Sequence, residues 1–336
     1  MATPRTSFLM PVRNGEQTLE AAMASICAQT DPNFELLIIN DHSTDRTDEI
    51  AMSSSDARIR VHKNPGHGLV DALNFGLQEA RGTFIARMDA DDLAAPERLE
   101  LQLPYFDHPS LGVLDGQVTF FSPSGPVARG MMHYGHWVNS IIRPADFDRE
   151  LLVESPVVHP AATYRRTVVN DLGGYRLGAF PEDYDLWLRI HAAGYHLEKV
   201  PSVLVQMRDH NQRLTRTDPR YSHAGFRTVR QQWLLKTQLV SPKRIVLFGA
   251  GKECGPWLRW LTSLHHIVVA IIDVSPTRIG RQRLGVPIIA IDDLPTLPVD
   301  IGLFLASTRG AREQGRAAIA ATKPTWIEGR HWWAVR

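Results

Sequence analysis

The chain reads as an α/β protein: a mostly parallel sheet with helices on both faces, followed by a smaller, doubly wound α/β domain. Three observations predict this. Between residues 7 and 99, short apolar runs alternate with patterns of helical period, as strands joined by helical crossovers do. The alternation resumes at residue 243 with a strand, a glycine turn and a helix. At 336 residues and 43% hydrophobic composition, the chain is long enough to fill two cores.

In chain order, "SFLMPV" (7–12) is the first strand. Asn14, with Gln17 three positions on, forms a capping box for a helix that turns Leu19, Met23 and Ile26 to one face. "FELLIIN" (34–40) is a near-continuous apolar strand ending at Asp41, and "RIRVH" (58–62) is the third strand. Residues 66–82 form a helix with Leu69, Leu73 and Leu77 inward and Gly82 closing it. "TFIARM" (83–88) is the fourth strand. "FPEDYDLWLRIHAAGY" (180–195) is a helix with Leu186, Ile190 and Ala193 inward and Gly194 at its end. Further strands fall at 266–273 and 299–307. The expected organisation is a domain at 1–218, a basic helical linker at 219–242 and a Rossmann-like α/β domain at 243–336.

A formal net charge of +1 argues against a general nucleic-acid binder. No apolar run approaches the ~20 residues that span a bilayer, and the apolar stretch near Met1 is too short for a signal peptide. A cytoplasmic protein is expected. Cys27 and Cys254 match no metal or redox spacing and read as two buried, reduced thiols.

The stretch "ARMDADDLAAPERL" (86–99) crowds Asp89, Asp91 and Asp92 at the end of the fourth strand. Like charges so close repel, and one would suffice to start a helix. Asp92 can be that helix start, with Pro96 in the first turn. Asp89 and Asp91, one residue apart, point the same way from an extended segment. Such a pair suits a hard divalent cation, Mn²⁺ or Mg²⁺, whose other positions are filled by phosphate and water. Asp41 ends a neighbouring strand, and open α/β sheets bind ligands beyond those ends.

"MPVRNGEQTLEAAMASICAQTDPNFELLIINDHSTDRT", "NPGHGLVDALNFGLQEARGTFIARMDADD" and "GGYRLGAFPEDYDLWLRI", in that order, resemble family 2 glycosyltransferases of the GT-A fold over roughly residues 6–215. The resemblance implies a nucleotide-sugar donor, a divalent metal and inversion at the anomeric carbon. It places Pro11, Val12, Asn14 and Glu16 around the nucleoside and has Asp41 accept a hydrogen bond from the base, with a UDP-sugar favoured through Asp41. Asn40 replaces one acid of the family's pattern. Asn64 and Gly68 match the region beside the ribose and sugar, in a turn, "NPGHG", longer than the usual form. Asp89 and Ala90 would touch ribose or sugar, and Asp91, with Asp89, would hold the metal on the diphosphate.

An inverting transfer to a hydroxyl needs a base opposite the leaving group, and the resemblance assigns it to Asp183. Glu182 would bind the acceptor, or act as base if the register shifts by one. A carboxylate at a helix N-terminus is expected to stay ionised at neutral pH. Acids there are also favoured by the helix dipole alone, which is enough to explain Asp185. His159 lies on the acceptor side or is structural. "VQMRDHNQRLTR" resembles the family's closing segment, so Arg208, His210 and Arg213 would cover the diphosphate, with His210 a further metal ligand. The acceptor implied is a glycan or lipid-linked sugar of a cell-surface polysaccharide.

Residues 208–244 hold nine Lys or Arg against Asp209 and Asp218. With Phe226, Val229 and Trp233 on one face, they read as a packed helix with its arginines in water. Docking on an anionic membrane at the inner face of the plasma membrane is the second reading. "FGAGKECG" sets Gly249, Gly251 and Gly255 one residue wider than the dinucleotide fingerprint, and Asp273 follows at the distance of a ribose-binding acid. That domain reads as a second catalytic site, a nucleotide sensor or a scaffold for partners. For the whole chain, a non-catalytic nucleotide-sugar sensor is the alternative. A sugar nucleotidyltransferase would need a glycine-rich, lysine-containing loop where "PVRNGE" stands.

Overall fold

The computed structural model describes residues 3–123, 125–306 and 308–336, in two compact units. The first unit comprises residues 1–147 and 155–229, the second 148–154 and 230–336.

The strands of the first unit are β1 (Thr6–Val12), β2 (Phe34–Asn40), β3 (Ile59–Lys63), β4 (Phe84–Arg87), β5 (Leu93–Ala94), β6 (Leu111–Phe121), β7 (Thr163–Arg165) and β8 (His196–Arg208). They form one sheet in the order β3-β2-β1-β4-β7-β6-β8-β5. The β1–β2, β2–β3, β1–β4 and β6–β8 pairs are parallel; β7 runs against β4 and β6, and β5 against β8. The helices are α1 (Leu19–Cys27), α2 (Thr47–Met52), α3 (Leu69–Glu79), α4 (Arg98–Gln102), α5 (Arg129–Asn139), α6 (Pro144–Glu150), α7 (Arg166–Asp171), α8 (Glu182–Ala192), α9 (Leu214–Thr217) and α10 (His223–Thr237). Helix α6 runs on into the second unit, and α10 continues past Val229 into it.

β1 and β2 are buried along their whole length, as a parallel sheet covered on both faces requires. Leu19, Met23 and Ile26 of α1 pack into the core as expected. On α3 the inner stripe is Val70, Leu73 and Leu77, while Leu69 is half-buried. Gly76 permits the closest approach, since a Cβ there would meet Leu9 Cδ1 at 2.1 Å.

Several local expectations are corrected. Helix α1 starts at Leu19 without a side-chain cap, and Asn14 lies outside it in the left-handed region (φ +54°). Asn14 Oδ1 instead accepts the Thr44 N–H at 2.9 Å, so its capping capacity ties two loops together. α3 ends at Glu79, and Gly82 serves the close approach to β1, where a Cβ would lie 2.6 Å from the Ser7 nitrogen. Asp92 starts no helix: it is fully buried, and α4 begins at Arg98, beyond Pro96. Ala193 is exposed, because α8 stops at Ala192 before Gly194 turns left-handed (φ +90°). Cys27 is half-buried, whereas Cys254 is buried; both are free thiols.

β6 and β8 were not legible in the sequence. Each carries a charged residue in the middle of its buried face, Asp115 and Lys199, directly opposite across the parallel pair. Lys199 Nζ lies 3.0 Å from Asp115 Oδ2 and donates to the Val138 carbonyl at 2.7 Å. Asp115 also accepts the N–H groups of Gly116 and Val158.

The second unit holds β9 (Arg244–Phe248), α11 (Cys254–Ser263), β10 (Ile267–Ile272), β11 (Gln282–Arg283), β12 (Val286–Ile289), β13 (Ile301–Phe304), α12 (Arg309–Thr322) and β14 (Trp332–Ala334). Its sheet runs β11-β12-β10-β9-β13-β14, parallel except for β11–β12. The strand expected at 299–307 is the shorter β13, and residue 307 lies outside the described residues. Segment 148–154 is fastened within this unit, Glu150 to Arg316 at 3.0 Å and the Val153 carbonyl to Arg230 Nη2 at 2.5 Å.

Candidate active site

The carboxyl ends of β1, β2 and β4 gather the first group of residues. Asp41, one residue past β2, is buried, and its Oδ1 accepts Asn64 Nδ2–H at 2.7 Å and the Gly68 N–H at 2.9 Å. Its Oδ2 takes a second, 3.1 Å contact from that same N–H. Pro11 and Val12 end β1 beside it, and the Asp41 N–H bonds the Val12 carbonyl at 2.8 Å. Asn14 and Glu16 are exposed on the next loop, which Ser43, Thr44 and Asp45 hold through Asn14 N–H, Asn14 Oδ1 and Glu16 N–H. The structure thus assembles Pro11, Val12, Asp41, Asn64 and Gly68 around one carboxylate, with Asn14 and Glu16 at its rim.

The acidic cluster follows β4. Carboxylate oxygens of Asp89, Asp91 and Asp92 lie within 4.8 Å of one another, with Ala90 between the first two. Asp89 pairs with the buried Arg87 guanidinium. Asp91 Oδ2 meets His210 Nε2 at 2.8 Å, and Arg208 Nε donates to the Asp91 carbonyl at 3.0 Å. Asp92 Oδ1 accepts the Arg208 N–H at 2.8 Å, while its Oδ2 is buried without a partner. Burial, then the charges of Asp89 and Asp91, push the Asp92 carboxyl well above the usual carboxylate range. Arg213 offsets this through its charge and braces the segment by donating to the Arg208 carbonyl at 2.7 Å. Converging oxygens, an imidazole on Asp91 and an unpartnered buried oxygen fit a hard divalent cation, whose charge would remove the repulsion.

The cluster is held from beneath by Arg98, which is fully buried and whose hydrogen bonds to the strand ends run to carbonyls. Its guanidinium donates to the carbonyls of Arg87, Pro160 and Ala162 at 3.0, 2.8 and 3.0 Å. Burial draws its proton affinity down to about 9. The fork fixes the end of β4 against the segment that carries His159.

α8 supplies the second carboxylates. Glu182 is 1% exposed, and both its oxygens are occupied by the Tyr221 hydroxyl, at 2.8 and 3.0 Å, with Arg220 at 3.4 Å. Asp183 is half-buried, and its Oδ1 accepts the Tyr184 N–H at 2.7 Å. Burial, then the negative charge of Glu182, push Asp183 up to about 7. The expectation of a carboxylate simply ionised at neutral pH is therefore corrected, because desolvation outweighs the helix end. Asp185 is structural, bridging Arg176 and Arg189. His159 is interior: it meets the Tyr175 hydroxyl at 2.8 Å, Tyr175 in turn meets Tyr164 at 2.8 Å, and burial holds the imidazole neutral.

Two features link the carboxylate groups. Arg87 pairs with Asp89, its charge also bears on Asp92, and it has a smaller influence on Glu182 and Asp183. Segment 208–221 grips Asp91 and Asp92 at one end, through His210 and Arg208, and Glu182 at the other, through Arg220 and Tyr221. Arg87, Arg220 and Tyr221 were not singled out from sequence. A charge inside the apolar strand "TFIARM" was the available signal for Arg87, since unpaired arginines are rarely buried.

In the second unit Gly249 adopts φ +101° at the end of β9. Asp273 does not face an open turn. Its Oδ2 accepts the Ala250 N–H at 2.7 Å and its Oδ1 the Ser275 N–H at 2.8 Å, with Arg278 alongside. Gly251 faces open space, and Arg283 lies 3.3 Å from where a Gly255 Cβ would stand.

Residues 7–173 match the family described as Glycosyl transferase family 2. The chain is 30% identical over 227 residues to the putative glycosyltransferase EpsE of Bacillus subtilis, covering 65% of this chain and 78% of that one. This chain belongs to glycosyl transferase family 2. As a member it is a glycosyltransferase, and its first unit has the GT-A fold. Another family relative is the UDP-Glc:alpha-D-GlcNAc-diphosphoundecaprenol beta-1,3-glucosyltransferase WfgD of Escherichia coli. It is 29% identical over 189 residues, 55% of this chain and 68% of WfgD. Among solved structures, the mannosyltransferase PcManGT of Pyrobaculum calidifontis, in complex with GDP-Man and Mn²⁺, superposes with a TM-score of 0.51. The match has 18% identity and covers 79% of this chain and 71% of that one, a likeness of fold.

Proposed function

We propose that this glycosyltransferase moves a sugar, with inversion, from a nucleoside-diphosphate donor to a hydroxyl of a glycan or lipid-linked acceptor in polysaccharide assembly. The observation that supports the reading is segment 208–221, which contacts Asp91 and Asp92 through His210 and Arg208 and contacts Glu182, the neighbour of Asp183, through Arg220 and Tyr221. Asp41, Asn64, Gly68, Pro11, Val12, Asn14 and Glu16 would hold the nucleoside, and Asp89 with Ala90 the ribose or sugar. A UDP-sugar is favoured through Asp41 and through the donor in WfgD's name. Asp91 and Asp89, with His210, would hold Mn²⁺ or Mg²⁺, for which the Mn²⁺ in PcManGT is further support. When bound, the ion supplies positive charge where the diphosphate leaves. Arg208 and Arg213 would add to that charge.

Asp183 is the base. It takes the acceptor's hydroxyl proton as that oxygen bonds the anomeric carbon and the sugar–diphosphate bond breaks. Tyr221 and Arg220 occupy the oxygens of Glu182, which supports Asp183 over Glu182 in that role. A carboxyl titrating near 7 is matched to proton transfer at neutral pH. We place the reaction at the cytoplasmic face of a membrane: among the described residues no helix is long and apolar enough to cross one, and residues 208–244 carry excess positive charge. The second unit serves as a scaffold or a nucleotide sensor, since Asp273 closes its own turn.

The test is transfer from UDP-sugars with Mn²⁺, read alongside UDP binding. Asp183→Asn should lower kcat by roughly 10²–10⁴ while UDP binding persists, and Asp91→Ala should lose the Mn²⁺ dependence of UDP binding. If both variants turn over like the unmodified enzyme, the assignment fails. Tight binding without transfer to any acceptor would favour the sensor reading.

A further inference from the structure

We propose that His42 and His67 form an aromatic platform on which the nucleobase of the donor stacks, beside the Asp41 carboxylate that reads its edge. The inference rests on the donor-site reading above and deepens it to the residues that select a planar base.

The two imidazoles stack with centroids 4.4 Å apart and planes 23° from parallel, and both residues are exposed. They cover no core, so apolar burial does not explain the pairing. His42 follows Asp41 directly and sits in the left-handed region at φ +56°, a conformation unfavourable for any residue with a Cβ. It is kept there by a 2.8 Å contact from Nε2 to the Gly66 carbonyl. A carbonyl only accepts, so that ring nitrogen carries a hydrogen and the ring orientation is fixed.

His67 is held as firmly from below while its ring stays in solvent. Its N–H bonds Asp71 Oδ2 at 3.0 Å, and the Gly66 N–H bonds Asn64 Oδ1 at 3.1 Å. The Gly68 N–H and Asn64 Nδ2–H both bond Asp41. Gly66 is required there, because a Cβ would fall 2.4 Å from Asp71 Oδ2. The turn 64–68 is therefore a rigid mount, and His67 is what it displays. Asp41 Oδ2 retains acceptor capacity beside it. An exposed flat ring next to a buried acceptor suits a planar heterocycle with an N–H on its edge, such as uracil. Preformed rings lose little freedom on binding.

Calorimetric binding of UDP tests this, with inorganic pyrophosphate plus Mn²⁺ as the probe of the acidic cluster alone. His67→Ala should weaken UDP binding about 5- to 100-fold, the range for loss of a stacking aromatic. Pyrophosphate binding should be unchanged, and His67→Phe should restore most of the UDP affinity. In the unmodified protein, the ring signals of His42 and His67 should shift in NMR spectra on addition of UDP and not of pyrophosphate. If His67→Ala binds UDP normally while Asp41→Ala does not, the platform is wrong and the donor site stands. Equal loss of UDP and pyrophosphate in His67→Ala also overturns it. If UDP, GDP and dTDP all fail to bind the unmodified protein, the donor reading falls and the platform with it.

Discussion

Asp183 shows how one carboxyl is shifted toward neutral pH by its surroundings. Burial and Glu182 raise it; Arg87 and the Tyr184 N–H pull it back, leaving it near 7. Tyr175 and Tyr221 also feel its charge, and their own titration is pushed upward by burial. Only the ionised carboxylate accepts a proton, so kcat/KM should climb with pH through about 7. A pH–rate profile should show this limb in the unmodified enzyme and lose it in Asp183→Asn. Stability runs the other way. The folded state holds this proton more tightly than the unfolded chain, where Asp titrates near ~3.9. That contribution is full below the unfolded value and is lost as pH rises through about 7.

Among the elements, β6 and β8 are joined by a pair of charges that the rest of the fold encloses. Burial raises the Asp115 carboxyl and lowers the Lys199 ammonium, each opposed by the other's charge. Lys199→Met would leave a buried, unpaired carboxylate and should cost about 3–5 kcal/mol of unfolding free energy by denaturant titration. Adding Asp115→Asn, whose carbonyl can still accept the Val158 N–H, should recover most of that loss. The same pair explains what the sequence hid. β1, β2, α1 and α3 announced themselves because their burial follows a simple apolar pattern. β6 and β8 break that pattern at Asp115 and Lys199, and composition alone reads such charges as surface. At the site, Asp41, Asp89, Asp91 and Asp183 were legible as acids at strand and helix ends. Arg220 and Tyr221 were not, because their partner Glu182 lies 38 and 39 residues away and no periodicity links them. Asn14 was misread for a related reason, its hydrogen bond running to Thr44 rather than along its own helix.

At the scale of the whole molecule, the chain divides where its contacts divide, and not at one point along the sequence. Residues 148–154 leave the catalytic unit, take partners from 230–336, and return at Ser155. Glu150 relies on Arg316, and the Val153 carbonyl on Arg230. A chain ended at Val229 should therefore show a lower denaturation midpoint than the full protein, with protease cutting near 148–154, as thermal scans and limited proteolysis can check. Recombination between related genes meets the same obstacle. A swapped C-terminal cassette would arrive without the seven-residue insert it was matched to, so working chimaeras need two crossover regions rather than one.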